Sequence, residues 1–143
     1  MGLTGKFLAM LGLSDQVRAE ISREINLFEA VEAHVAWKRR LVEYLEGRSS
    51  EKLEAHHVCL DNRCVLGKWI HGPGKVRLGE YPVFQQLVDE HAKFHYYASK
   101  VIEAHDAGDD RLSRQLLDNE FAHQSKKTVN CITRLHMQIE GKE

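Results

Sequence analysis

The stretch FQQLVDEHAKFHYYASKVI, residues 84–102, decides the fold. Apolar side chains recur in it at Phe84, Leu87, Val88, Ala98 and Ile102, the three-and-four spacing of one face of an α-helix. His91 and His95 fall on that same face, stacked one turn above the other. Pro82 stands just ahead, at a first helical position where its missing N–H costs nothing. Ala107-Gly108-Asp109 breaks the pattern. The spacing therefore predicts a long helix from near Tyr81 that turns two imidazoles into its own core. A buried polar group must be satisfied. A metal ion satisfies an imidazole pair well, although His-x-x-x-His spacing alone is a weak signal.

The flanking sequence is helical too. A first long helix is predicted from Ser14, its N-cap, to Leu45, with a stripe of Val17, Ile21, Ile25, Phe28, Val31 and Val35 continued by Leu41, Val42 and Leu45. Gly47 stops it. A polar connection, RSSEKLEAHHV (48–58), has room for a helical turn. A short helix is expected over Asp61–Ile70, capped by Asp61 or Asn62 and ended by Gly72-Pro73-Gly74, with Gly74–Glu80 as loop. The last helix runs from about Asp109 to Ile139, with Leu112, Leu116, Leu117, Phe121, Val129, Ile132, Leu135 and Ile139 facing inward. The expected fold is all-α: a four-helix bundle over residues 14–143, made of three long helices and a short one carrying Cys64.

Residues 1–13 form an apolar N-terminal extension. It is too short to span a bilayer, shows no convincing cleavage site, and has Lys6 where a myristoylation signal wants Ser or Thr. It reads as a docking helix whose Phe7, Leu8, Met10, Leu11 and Leu13 need cover from a partner or a second copy.

The 143 residues suit one domain, and the apolar (43%) and charged (29%) shares are those of a globular protein in water. A net charge of -1 argues against a nucleic-acid partner. Three cysteines without a secretory signal argue against a disulfide framework and for a reducing, cytoplasmic compartment.

Two further residues complete a candidate metal site. His34 lies on the inner side of the first helix. Cys64 opens CVLGKWI, where Val65, Leu66, Trp69 and Ile70 supply packing and Gly67 permits close approach to a neighbour. A soft thiolate among neutral imidazoles selects Zn²⁺ over Mg²⁺ or Ca²⁺. His34-x-x-Trp37-Lys38-x-x-Leu41, Cys64-x-Leu66-Gly67-Lys68-Trp69 and His91-x-x-Phe94-His95-x-x-Ala98 together resemble the chemoreceptor zinc-binding (CZB) domain family, over roughly Glu29 to Ile102. The resemblance implies that His34, Cys64, His91 and His95 bind one zinc, with Trp37, Leu66, Gly67, Trp69 and Phe94 as packing. It also implies a non-enzymatic bacterial regulatory domain that responds to zinc or to oxidants such as hypochlorous acid, and that is often a homodimer. Members are commonly fused to chemoreceptor signalling helices or diguanylate cyclase domains. Neither occurs in this sequence, so a stand-alone protein with a separate signalling partner, in chemotaxis or cyclic-di-GMP signalling, is expected.

Four protein donors close a tetrahedral zinc and make a poor hydrolase. Structural zinc, zinc sensing and redox sensing remain. In the last, Cys64 is the switch, because zinc keeps it a thiolate that oxidants attack. A hemerythrin-like di-iron site would need inward carboxylates, but Lys38 follows His34 by four and Glu32 precedes it by two. His57-x-Cys59 is a weaker second ligand pair, expected to be exposed, and Cys59 with Cys64 a weaker disulfide pair. Cys131 reads as packing; His71, His105, His123 and His136 as surface; and Lys38-Arg39-Arg40 as a solvated face.

Overall fold

Polar caps set where the first helices start. In the computed structural model, which describes residues 11–141, Ser14 Oγ accepts from Val17 N at 3.2 Å and begins α1 (Asp15–Glu24). Asn26 does the same for α2 (Leu27–Leu45), its Oδ1 accepting from Glu29 N at 3.0 Å. The first long helix is therefore two helices, not the single one expected. The break at Ile25-Asn26, both in extended backbone, resets the phase of the apolar stripe. Leu27, Ala30, His34, Trp37 and Leu41 become the buried face of α2, while Phe28 and Val35, expected inside, are 65% and 56% exposed.

After Gly47, whose φ of 70° only glycine adopts freely, the connection carries a single turn, α3 (Ala55–Val58). The Cys64 helix is shorter than expected: α4 spans Val65–Ile70, and Cys64 is its N-cap rather than a helical residue. Residues 71–72 turn directly into α5 (Pro73–Leu78), where a loop was expected. Pro73 occupies the first turn, where its fixed φ suits a helix start, and the fully buried Leu78 anchors the other end. Helix α6 (Pro82–Asp106) runs as the sequence predicts and ends before Gly108, at φ 81°.

Asp109 then caps α7 (Asp110–Leu116), its side chain accepting from Leu112 N at 3.0 Å. A π-helical stretch, Leu117–Phe121, joins α7 to α8 (Ala122–Ile139). In α7 the inward position falls to Ser113, whose Oγ donates to Val101 O at 2.8 Å, and Leu112 is exposed. Leu117, Phe121, Ile132, Leu135 and Ile139 are buried as expected, while Leu116 and Val129 are half-buried. Two buried polar residues of this rod, Gln124 and Thr128, donate to Glu90 O on α6 at 3.1 and 3.0 Å, so the interface they enter is satisfied.

The architecture is an all-α bundle. Helix α6 packs on α2, α3, α7 and α8; α2 packs on α8 and α4; α4 packs on α5. Of the N-terminal extension, Phe7, Leu8 and Met10 lie outside the described residues; Leu11 is buried and Leu13 packs beside it, both against the bundle. No helix among the described residues is long and apolar enough to cross a membrane.

The core falls into two clusters. One holds Ile21, Leu27, Ala30, Trp69, Phe84, Leu87 and the end of α8; the other holds Trp37, Leu41, Phe94, Ala98, Ile102 and the π-helical stretch. On α2 the first cluster ends at Ala30 and Val31 and the second begins at Trp37, with His34 between them. On α6 the first ends at Leu87 and Val88 and the second begins at Phe94, with His91 between them. A layer of imidazoles separates the two oily halves of the bundle.

Candidate metal centre

Helices α2 and α6 cross where their inner faces carry histidine. His34, His91 and His95 are 2%, 0% and 3% exposed. Their Nε2 atoms converge: His91 Nε2 lies 3.1 Å from His34 Nε2 and 3.1 Å from His95 Nε2. Cys64 Sγ completes the group at 3.4 Å from His91 Nε2, 3.7 Å from His95 Nε2 and 3.9 Å from His34 Nε2. The four donor atoms lie within 4.8 Å of one another. A tetrahedral zinc with bonds of about 2.0 Å to nitrogen and about 2.3 Å to sulfur places its donors roughly 3.3 Å apart for N···N and roughly 3.6 Å for S···N. The two N···N separations, both 3.1 Å, fall just short of the first value, and the S···N separations of 3.4–3.9 Å straddle the second.

The ring tautomers point the same way. His34 Nδ1 donates to Ala30 O at 2.7 Å, and His95 Nδ1 donates to Val58 O at 3.0 Å. A neutral ring that donates from Nδ1 presents a bare lone pair at Nε2, so two of the three converging nitrogens are acceptors without a proton. Burial, reinforced by the neighbouring imidazoles, pushes His91 and His95 well below the ordinary histidine range, and burial lowers His34 as well, against the opposing bond to Ala30 O. Each shift favours the neutral ring, the state that ligates metal. His91 Nδ1 is buried without any partner, the one ring nitrogen of the trio left so. No carbonyl sets the His91 tautomer; a metal bond at Nε2 would set it. These donors fit Zn²⁺ in their number, softness and spacing.

Cys64 differs from the histidines. It is half-buried and lines a cavity of about 630 Å³ shared with His34 and His95. Burial pushes its thiol up, partly offset by the N–H of Gly67. Without metal it is therefore a thiol, and metal binding would release its proton. Its Sγ also accepts from Gly67 N at 3.3 Å as the N-cap of α4. The same sulfur thus caps a helix and faces the histidines.

Gly67, expected to allow a close approach to a neighbouring element, instead meets the connection just ahead of its own helix. A Cβ there would sit 1.9 Å from Asp61 O. The turn 61–64 folds tightly across α4, and that fold holds Cys64 towards the trio. Trp69 and Leu66 are buried below it, and Trp37 and Phe94 pack edge-on to His95 and His34.

The other candidate groups stand outside the four-donor set, although His57 lines the same cavity. Cys59 is exposed, its Sγ donating to His56 O at 3.2 Å. His71 and His123 are exposed, His105 and His136 half-buried, and Cys131 packs against the first core cluster. Of the basic run, Lys38 and Arg39 are exposed, while Arg40 stacks on Trp37 at 3.8 Å and pairs with Glu51 at 2.7 Å. A second donor group, Glu54, His56 and His57, gathers at the surface on α3. The sequence pairs His57 with Cys59 by spacing, but the structure pairs it with Glu54, which one helical turn brings beneath His57.

Fold and site together define an α-helical domain built around a buried set of three imidazoles and one thiol. The family model of the chemoreceptor zinc-binding domain matches residues 34–102, a span that holds all four donors. Over residues 34–102 the chain is thus similar to this zinc-binding domain family. No curated relative and no solved structure matches the chain.

Proposed function

We propose that the chain is a regulatory domain in which His34, Cys64, His91 and His95 hold one Zn²⁺ and Cys64 is the group that changes state. One observation carries this reading: Cys64 Sγ is at once the cavity-facing donor and the N-cap of α4. The three histidines sit on long helices with both core clusters packed around them. Cys64 sits on a short turn, so it is the donor that can leave at least cost to the bundle. Zinc loss returns it to a thiol. A two-electron oxidant such as hypochlorous acid converts the thiolate to a sulfenic acid with release of chloride. Either event removes a soft donor and alters the cap of α4.

A route leads outward from α4. Trp69 Nε1 donates to Glu24 Oε1 at 3.2 Å, and Glu24 also accepts from Arg77 Nη2 at 2.7 Å. Arg77 pairs further with Glu20 at 3.2 Å. A shift of α4 therefore bears on α1, and through α1 on the apolar segment ahead of it. The output we infer is a change at that end, read by a second copy or by a cytoplasmic signalling protein of the chemotaxis or cyclic-di-GMP type. A monomer by light scattering at micromolar concentration would overturn the homodimer.

Structural zinc is the rival reading, favoured by the way the imidazole layer interrupts the core. Hydrogen exchange with zinc, with chelator and with hypochlorous acid separates the two. A sensor keeps its helical circular dichroism on chelation and gains exchange in α4 and α1 while α6 and α8 stay protected. Global loss of helix on chelation would establish a structural zinc and refute the sensor.

A further inference from the structure

The surface group on α3 has the composition and spacing of a metal site of its own. His57 Nδ1 lies 2.9 Å from Glu54 Oε2, and His56 Nε2 lies 3.8 Å from the same oxygen. The two rings are 4.2 Å apart between centroids. All three donor atoms fall within 4.8 Å of one another. Two imidazoles and a carboxylate, with the rest of the coordination sphere open to water, are the donor set of an exchangeable zinc. Such a set holds metal less tightly than a closed one with a thiolate.

Its position gives it a use. Glu54 and His57 line the same cavity as Cys64, His34 and His95. Cys64 is the half-buried donor on that cavity; His34 and His95 reach its wall while 2% and 3% exposed, and the fully buried His91 does not line it. The next residue after His57 is Val58, whose carbonyl holds His95 Nδ1 at 3.0 Å. The surface donors and a buried donor's orienting group are thus neighbours on one turn of helix.

We propose that Glu54, His56 and His57 form a second, weaker Zn²⁺ site at the mouth of the cavity, and that ions enter and leave the buried site through it. This rests on the buried four-donor reading but is tested separately from it. Cobalt(II) is the probe, because only a site with a thiolate gives cysteinate-to-cobalt charge-transfer absorption. Metal-free wild type should bind two ions per chain, the tight one with charge transfer and the weak one without. His56→Asn with His57→Asn should lose the weak ion and keep the tight one at unchanged affinity. Its charge-transfer band should grow in severalfold more slowly than that of the wild type. Asn is smaller than His, so a purely steric effect would speed loading instead. Cys64→Ala should keep the weak ion and lose the band. One ion per chain in wild type, or two ions with loading unchanged in the double variant, overturns the proposal. Absence of charge transfer in wild type overturns the buried-site reading instead.

Discussion

Gly67→Ala sets two physical effects against each other, and their magnitudes decide the sign. Gly67 lies inside α4 without a positive φ, so alanine suits its backbone. Helix propensity alone would then stabilise the variant by about 1 kcal/mol. The new Cβ, however, would stand 1.9 Å from Asp61 O, 2.8 Å from Asp61 C and 3.1 Å from Asn62 Cα. These are backbone atoms and cannot rotate away. Overpacking of this kind costs about 1–3 kcal/mol, and a backbone clash belongs at the upper end. The net expectation is a loss of about 2 kcal/mol. An unfolding entropy of about 2.1 cal/mol/K per residue makes that roughly a 7 °C fall in Tm for a chain of this length. Relief requires residues 61–62 to move, and they lead into Cys64. If the strain is released only when Cys64 leaves the histidines, the same energy appears as about 30-fold weaker zinc binding. Differential scanning calorimetry and a chelator competition measure the two. Gly108→Ala is the control: it has open space but φ 81°, so it should cost about 1–2 kcal/mol and leave zinc affinity alone. A Gly67→Ala protein with wild-type or raised Tm and unchanged zinc affinity would refute the account of how Cys64 is positioned.

Other substitutions separate roles that one residue combines. Cys64→Ser removes the soft donor but keeps an N-cap, whereas Cys64→Ala removes both; both should bind zinc far more weakly, and the metal-free alanine variant should be less stable than the serine one by about 1 kcal/mol, read from urea unfolding. Asn26→Ala should cost about 1 kcal/mol by loss of the α2 cap, with Tm lowered and zinc affinity unchanged in calorimetry. Glu24→Gln tests the link between α4 and α1 through pH. The Arg77 guanidinium holds the Glu24 carboxyl below its ordinary 4.5, so its contribution is complete above that value and is lost as pH falls through the lower folded value. Wild type should exceed Glu24→Gln in Tm at neutral pH, and the gap should close in acid below 4.5; a gap that persists or widens in acid would contradict the ion pair.

How far the sequence revealed this follows from which signals are local. Periodicity around His91 and His95, with Pro82 and Gly108 as end marks, is local, and α6 follows it. Motif spacing named His34, Cys64, His91 and His95 as candidate donors, and the fold brings all four together. The break at Ile25-Asn26 was hidden because Ile21, Ile25 and Phe28 continue a plausible helical stripe across it. The signal was Asn26 itself, a good cap three residues before Glu29. Helix α5 was hidden because Gly72-Pro73-Gly74 reads as a terminator, although proline also opens helices. Leu112 was misplaced because a buried hydroxyl, Ser113 bonded to Val101 O, holds the inward position. Glu54 was missed because its role needs the turn of α3 to bring it to His57.

The division of the four donors between scaffolds bears on what the site does. His91 and His95 share one long helix, and His34 is locked to them by two core clusters, so their convergence costs the protein its packing if undone. Cys64 is held by a turn whose geometry rests on one absent side chain, at Gly67, and on a cap bond from its own sulfur. A site meant only to brace the bundle gains nothing from placing its thiol donor on a short turn beside a cavity. A site meant to respond gains from both, because the donor that leaves does so without opening the core. The ordering makes a direct demand on experiment. Chelation should expose Cys64 to a thiol reagent before any core amide of α6 exchanges. Exchange of α6 ahead of, or together with, Cys64 modification would show that the bundle and the site open as one unit, and the argument from unequal scaffolds would fail.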